Sequence, residues 1–466
     1  MRGGESNIGK SQVAGPAWCR PSTFDLRLLT PLFLLGAFAP AIGETSESDA
    51  MHYWPQWRGP LATGVAPHAD PPVEWGEDKN IRWIVPLEGV GHSTPVVWGD
   101  LVILTLAVPI GDPVDPVPPH EHAHGAHDNL QSNRHHTFDV LAVRRMDGSI
   151  AWQRTVRKAL PHEGGHVTGS LASHSPATDG ERVYAFFGSR GLHCLDMEGE
   201  PQWSVDLGEM HTRHAHGEGS SPVLYGNTLV VNWDHEGDSF VAAFDTEDGK
   251  ERWRVKRDEM TSWSSPIVVQ AGGKPQVVIS ATGRVRGYDL ATGEGIWHCG
   301  GLSRNVVASP VAGDGLVFAG NSYDWQAMLA IRLEGARGDL DGTEHIAWKL
   351  DRFTPYVPSP LYAGGRLYFL RHNQDLLSCV DGKTGKPVYG PLRLQGIDNV
   401  FASPVAAAER LYITDRDGTT VVLRLGDEPE VLATNTLDES FSASPALVSD
   451  EIYLRGREKL YCITRE

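Results

Sequence analysis

The sequence is poor in the residues that most often carry chemistry. Five cysteines are spread over 466 residues and no two are adjacent. Their number and spacing exclude the dense disulfide framework of a small secreted domain. Cationic side chains are scarce too: 41 Lys and Arg stand against 59 Asp and Glu, a formal net charge of −18. That balance disfavours nucleic acid or an anionic membrane surface as a partner. No Gly-x-Ser-x-Gly elbow occurs, so elbow-type hydrolases are excluded. The run His162-Glu163-Gly-Gly-His166 lies in a Gly-rich loop, not on the helix a metalloprotease motif needs to put two imidazoles on one face.

What the chain has instead is a repeat. Its cleanest copy spans 221–255: Ser221-Pro222-Val-Leu-Tyr, Thr228-Leu-Val-Val-Asn, Ser239-Phe-Val-Ala-Ala-Phe-Asp245 and Glu251-Arg-Trp253-Arg-Val255. β-Branched and aromatic runs separated by Gly, Asn and Asp clusters predict four short strands joined by tight turns. The Ser/Thr-Pro step recurs at Pro95, Pro176, Pro222, Pro266, Pro310, Pro360, Pro404 and Pro445. After a first interval of 81 residues, the spacings are 46, 44, 44, 50, 44 and 41. Four strands per unit at that period predict an all-β, eight-bladed β-propeller of antiparallel blades. The third strand often ends in Asp, as at Asp196, Asp245, Asp289 and Asp381, and the fourth usually carries an aromatic, as at Trp152, Trp203, Trp253, Trp297, Trp348 and Tyr389.

The eighth copy stops one strand short, after Lys459-Leu-Tyr-Cys462-Ile. The missing strand is predicted at about 81–87, where Ile81-Arg-Trp83-Ile-Val85 precedes the first Ser-Thr-Pro; closing the ring with it removes exposed edges. Ahead of it, Arg20 and Arg27 precede a short Leu- and Pro-containing apolar run, so 1–43 reads as a secretory signal, too short for a comfortable membrane span. Its amino-terminal part is unusually long for such a signal, which leaves open a start downstream of Met1. Without those residues, four basic and two acidic, the remainder carries −20. No Cys follows the apolar run, so no lipid anchor is expected, and the mature chain is read as a periplasmic or extracellular monomer. Residues 44–80, rich in Trp and Pro, read as an arm packing over the propeller, which occupies 81–466. Cys194, Cys379 and Cys462 hold the third-strand place that Ala243 and Gly287 hold in other blades: a small buried slot.

Histidine is the suggestive residue. Of 20, 13 lie from His120 to His216. One group falls in an insertion at about 107–137 that stretches the first interval; others fall at 157–174 and 206–220. In a four-stranded blade such loops emerge on one face. His92, His235 and His372 belong to that face too, as do the carboxylates Glu218, Asp234, Glu236 and Asp324. Imidazole suits zinc and copper, so His120, His122, His124, His162, His166, His211, His214 and His216 are the candidate metal ligands.

Ala243-Phe-Asp245-Thr-Glu-Asp-Gly249-Lys-Glu-Arg-Trp253 resembles the Ala-x-Asp-x-x-x-Gly-x-x-x-Trp docking motif of pyrroloquinoline-quinone (PQQ)-type propellers, as does the stretch from Tyr288-Asp289 to Trp297. The opening Trp54-Pro-Gln-Trp57-Arg-Gly-Pro60 is similar to that of exported bacterial PQQ-like propeller proteins. The resemblance covers 52–466. It implies calcium-dependent quinone dehydrogenases or a non-enzymatic, typically lipid-anchored scaffold of outer-membrane β-barrel assembly. The adjacent cysteines common beside the quinone are absent, and no calcium set or catalytic Asp is assigned, so neither PQQ nor calcium is supported. The reading is a binding or scaffold propeller whose His-bearing face meets a protein or small molecule. The alternatives are a PQQ-dependent oxidoreductase and a transition-metal-binding protein.

Overall fold

The computed structural model describes residues 47–465, His122 and His124 excepted. The leader-like segment 1–43 and those two histidines therefore lie outside the described residues. Eight blades of four antiparallel strands follow one another along the chain, and the fourth gains a two-residue fifth strand, Gly338–Asp339, paired in parallel at its outer edge. Blade three shows the pattern: Val223–Tyr225, Thr228–Trp233, Phe240–Asp245 and Glu251–Lys256, from the innermost strand outwards. The two middle strands are almost wholly buried, whereas the outermost strand largely alternates, as expected where one face packs on the next blade and the edge meets water.

The last blade takes Ala446–Val448, Glu451–Arg455 and Lys459–Thr464 from the C-terminus and Ile81–Pro86 from the N-terminus. Trp83 lies opposite Cys462 and Val85 opposite Leu460. The ring is thus closed by the N-terminal strand. In blade one, pairing continues to Ile110↔His135, so the excursion is 111–134. The apolar residues at the expected ends of the insertion extend the hairpin.

The fourth-strand Trp locks one blade to the next. Trp203 donates its indole N–H to the Thr246 carbonyl at 3.1 Å, and Trp253 does the same to Leu290 at 2.8 Å. The Trp203 ring covers Gly249, where an added Cβ would lie 2.6 Å from it and φ is +71°. Only glycine satisfies both the turn and the ring. Asp245 shapes that turn by accepting from the Glu247 N–H at 2.8 Å. Opposite the Trp or Tyr stands a small residue, Cys194, Ala243, Gly287, Cys379 or Cys462. The four described cysteines are free and buried, and burial pushes each thiol up to about 12.

The Ser/Thr-Pro steps form a belt around the ring axis. Thr94 N–H donates to Ser175 Oγ, Ser175 to Ser221, Ser221 to Ser265, Ser265 to Ser309, Ser309 to Ser359, Ser359 to Ser403 and Ser403 to Ser444, all at 2.8–2.9 Å. A residue before proline is held extended, which fixes each hydroxyl at the same place in its blade. At the seam between blades eight and one, the buried Arg455 instead donates to Ser93. Ser265→Ala is expected to leave the Ser221 N–H buried and unpaired, at a cost of about 1–3 kcal/mol. Thermal denaturation of the variant against wild type measures it.

The residues before Ile81 cross the far end of the inner strands. Trp54, fully buried, bridges Val97, and Val65 bridges Ala406. Arg58 inserts its guanidinium between blades six and seven, donating to Pro360 O at 2.7 Å and Pro404 O at 2.5 Å. With no carboxylate beside it, burial lowers its pKa to about 9.

Candidate functional site: an imidazole-rimmed chamber

Three loops on the face where inner strands begin are sewn together. They are 111–134 in blade one, 160–176 leading into blade two and 206–222 leading into blade three. Asn129–Leu130 pairs antiparallel with Gly165–His166. Gly164 lies against this pairing, where a Cβ would come within 1.9 Å of the Leu130 carbonyl oxygen. The third loop is tied in by His166 N–H to His216 O at 3.2 Å, and by the Asn129 amide, which donates to His214 O at 2.7 Å and Ala215 O at 3.0 Å. His214 and Ala215 are consecutive non-glycine residues at φ +58° and +51°. That conformation costs roughly 1–2 kcal/mol per residue, and the Asn129 amide helps to hold it.

This stitching sorts the histidines into two clusters. In the first, ligating atoms of His120, Glu163 and His211 all lie within 4.8 Å of one another. His162 stands beside them, its ring 5.6 Å from that of His211, and its Nε2 donates to Met210 O at 2.6 Å. Glu163 is buried, and burial pushes its carboxyl up to about 8 against the opposing hydrogen bonds from the Thr212 hydroxyl and N–H. In the second cluster the His127 ring lies 6.2 Å from His166, 5.7 Å from His214 and 5.0 Å from His216. His166 and His216 are 4.7 Å apart, and His214 and His216 5.2 Å. Burial, then the imidazoles of His166, His214 and His127, push His216 down to about 4.

The eight candidates are therefore divided. His120, His162 and His211 fall in one group, His166, His214 and His216 in the other, and His122 and His124 lie outside the described residues. The two histidines of His162-Glu163-Gly-Gly-His166 belong to different clusters, because the backbone is a loop and short strand rather than a helix. Sequence reasoning left out His127 and Glu163, although both stood within motifs it had picked out.

His127, His166 and His216 of the second cluster rim a chamber of about 500 Å³ on the ring axis. Trp57 of the N-terminal segment and hydroxyls of the serine belt line it, and His92, His127, His166 and His216 stand at its mouth with Trp263 and Tyr356. The carboxylates noted on this face all have partners. Glu218 accepts from Arg190 at 2.9 Å and from Ser189 N–H and Oγ at 2.7 and 2.6 Å. Burial raises its pKa, but Arg190, His174, Ser189 and His162 together outweigh that and hold the carboxyl below its usual value. Asp234 is paired with Arg257, Asp324 with Arg304, and Glu236 accepts from Thr261.

Behind the chamber wall lies His174, 1% exposed, with neither ring nitrogen hydrogen-bonded to protein. Burial lowers its pKa to about 4. An unfolded histidine titrates near 6.5, so as pH falls from 6.5 towards 4 the unfolded chain takes up a proton that the folded chain refuses, and stability drops. The expected loss from this one group is about 2–3 kcal/mol at pH 4.5. The thermal midpoint of wild type should fall more steeply with acid than that of His174→Phe.

Comparison with known proteins adds the lineage. A family model described as outer membrane protein assembly factor BamB matches residues 136–391, more than half of the chain. The chain belongs to this PQQ-like β-propeller family. No curated protein matches it in sequence. Among solved structures, BamB from Moraxella catarrhalis superposes with a TM-score of 0.53 at 14% identity, covering 82% of this chain and 97% of that one. A europium-containing methanol dehydrogenase gives 0.59 at 9% identity, covering 89% and 98%. The computationally designed Ika8 protein gives 0.51 at 11% identity, covering 76% and 100%. At such identities the likeness is one of fold.

The quinone that gives the PQQ-like propellers their name is a tricarboxylic acid, and the described chamber lining offers it no Lys or Arg. The one carboxylate in that lining, Glu218, is already saturated by Arg190 and Ser189, which leaves no acidic ligand for calcium. The residues present do not fit a quinone–calcium pair.

Proposed function

We propose that this PQQ-like propeller is an exported, monomeric binding module that receives a small molecule, or a protruding group of a protein partner, into the axial chamber through its His-bearing face. The observation that carries this reading is the chamber itself: about 500 Å³, lined by serine hydroxyls, imidazoles and aromatic rings, a size typical of ligand sites. The carboxylates of this face are engaged by Arg190, Arg257, Arg304 and Thr261, which favours binding over catalysis. Export follows from the leader-like segment 1–43, and no helix of the described residues is long and apolar enough to cross a membrane. The assembly-factor description of the family model favours a protein partner over a substrate.

A second reading, a transition-metal-binding protein, is favoured by one specific observation: the convergence of His120, Glu163 and His211. The chamber reading is tested with Val307→Trp, since Val307 lines the chamber and an indole there fills it. Native mass spectrometry of protein from the exported fraction should show a bound species on wild type that the variant lacks. Equal occupancy of both, or a bare wild type, contradicts the reading.

A further inference from the structure

The two histidine clusters differ in what they face. His127, His166 and His216 line the chamber, whereas His120, His162 and His211 do not. Each chamber-lining ring comes from a different one of the three stitched loops. From this geometry we infer a second, separate metal site: His127, His166 and His216 bind one divalent first-row transition-metal ion at the chamber mouth, with its remaining coordination position turned into the chamber. The inference goes beyond the ligand-binding reading and stands on the three rings alone.

Ring spacing supports it. An imidazole nitrogen sits about 2.1 Å from a bound zinc, which puts the ring centroids of a tetrahedral site roughly 5.3 Å apart. The three separations here are 4.7, 5.0 and 6.2 Å, each within about 1 Å of that spacing, and the rings must turn their nitrogens inward to complete the site.

Two of the three nitrogens are also prepared. His127 Nδ1 donates to Gly125 O at 2.8 Å, which fixes the tautomer and leaves Nε2 a lone pair. His216 is hydrogen-bonded to the His127 backbone, and its Nε2 is buried without a partner. A buried nitrogen with no hydrogen bond is costly, and coordination would satisfy it. His166 Nδ1 accepts from the Thr168 N–H at 3.2 Å and meets Thr168 Oγ1 at 2.7 Å, so ligation through Nε2 requires this ring to change tautomer and give up the N–H contact. Orienting one ring nitrogen through a hydrogen bond so that the other can ligate is the usual second layer of a metal site.

The chemistry of the set selects the ion. Three neutral imidazoles with no carboxylate suit copper, zinc or nickel and not calcium or magnesium. Three protein ligands and one open position are the pattern of a site that also takes an exogenous ligand, as opposed to a closed structural site. His214 packs against two of the rings without lining the chamber, and its strained backbone is held by Asn129. Asn129 is therefore a positioning residue.

The test uses the full mature chain without a histidine tag, stripped with chelator, then titrated with Zn²⁺ or Cu²⁺ alone and dialysed. Wild type is expected to retain an ion that the double variant His127→Ala/His216→Ala loses, with at least 100-fold weaker affinity. Glu163→Gln/His211→Ala, which dismantles the other cluster, is expected to keep it. The Cu²⁺ form should show nitrogen hyperfine structure from three imidazoles in its electron paramagnetic resonance spectrum. Asn129→Ala keeps all three ligands and is expected to weaken affinity about 10-fold, which decides the matter should the double variant misfold. Retention by His127→Ala/His216→Ala, loss in Glu163→Gln/His211→Ala, or no retained ion on wild type each overturns the site. The Val307→Trp experiment reads a bound molecule instead of an ion, so the two failures are distinguishable.

Discussion

Asp234→Ala is expected to destabilise the propeller by about 3–5 kcal/mol. Asp234 and Arg257 form a pair whose side chains are wholly inaccessible to solvent. Arg257 Nε reaches Oδ1 at 2.7 Å and its NH2 reaches Oδ2 at 3.0 Å, so the contact is bidentate. Ser262 also donates to Oδ2 at 2.7 Å, and Arg257 donates to the Tyr288 hydroxyl at 2.6 Å. The pair thereby ties blade three to the third strand of blade four. Desolvation opposes the Arg257 charge, but Asp234 and Tyr288 outweigh it and raise its pKa. Removing Asp234 strands a buried cation, and that explains the size of the effect. The pair itself need not be worth so much, because two charges taken out of water lose most of what their attraction returns. The double variant Asp234→Leu/Arg257→Met should therefore recover most of the loss. Chemical denaturation of the three proteins checks both statements, and a double variant as unstable as Asp234→Ala contradicts the second.

Trp83→Ala is expected to cost a similar amount, about 3–5 kcal/mol, and to act on ring closure in particular. Trp83 belongs to the strand that completes blade eight, yet its indole donates to Arg145 O of blade one at 2.8 Å and its ring covers Gly148. It repeats at the seam what Trp203 and Trp253 do between consecutive blades. A small ionic cluster supports it. Glu451 of blade eight is buried and accepts from Arg145 at 2.7 Å and from the Tyr453 hydroxyl at 2.6 Å, with Arg82 also bound. Without the indole, Ile81–Pro86 keeps its ladder to Lys459–Thr464 but loses its grip on blade one. Hydrogen exchange should rise first in those two strands and in Val96–Trp98. Uniform acceleration around the ring would contradict a special role at the seam.

How legible was this in the sequence? The blades were, because each repeats a local chemistry that needs no long-range information. Ser/Thr-Pro sets the inner strand, Asp and Gly set the outer turn, and an aromatic at the fourth strand fills the slot opposite Cys194, Ala243 or Cys379. Closure was legible from arithmetic, since the eighth copy lacked one strand. The belt was not: Ser221 and Ser265 were visible as a recurring step, but a hydrogen bond between residues 44 apart depends on how neighbouring blades are set side by side. The histidines show the same limit more sharply. Grouping by chain proximity joins His162 with His166 and His211 with His214, whereas three loops lying alongside one another take one ring from each, giving His120, His162 and His211 here and His127, His166 and His216 there. Glu163 could not be read as a cluster member, because only burial beside Thr212 distinguishes it from the other acids of an acidic chain.

The central claim is that the stitched loops make the chamber mouth a binding site. Its most direct measurement is anomalous diffraction at the zinc edge from crystals of the untagged protein grown with one equivalent of zinc. The expected result is a strong peak among the rings of His127, His166 and His216, with density for a water or ligand on its chamber side. A crystal whose zinc lies only elsewhere on the surface, with those three rings as far apart as before and no peak between them, would contradict it.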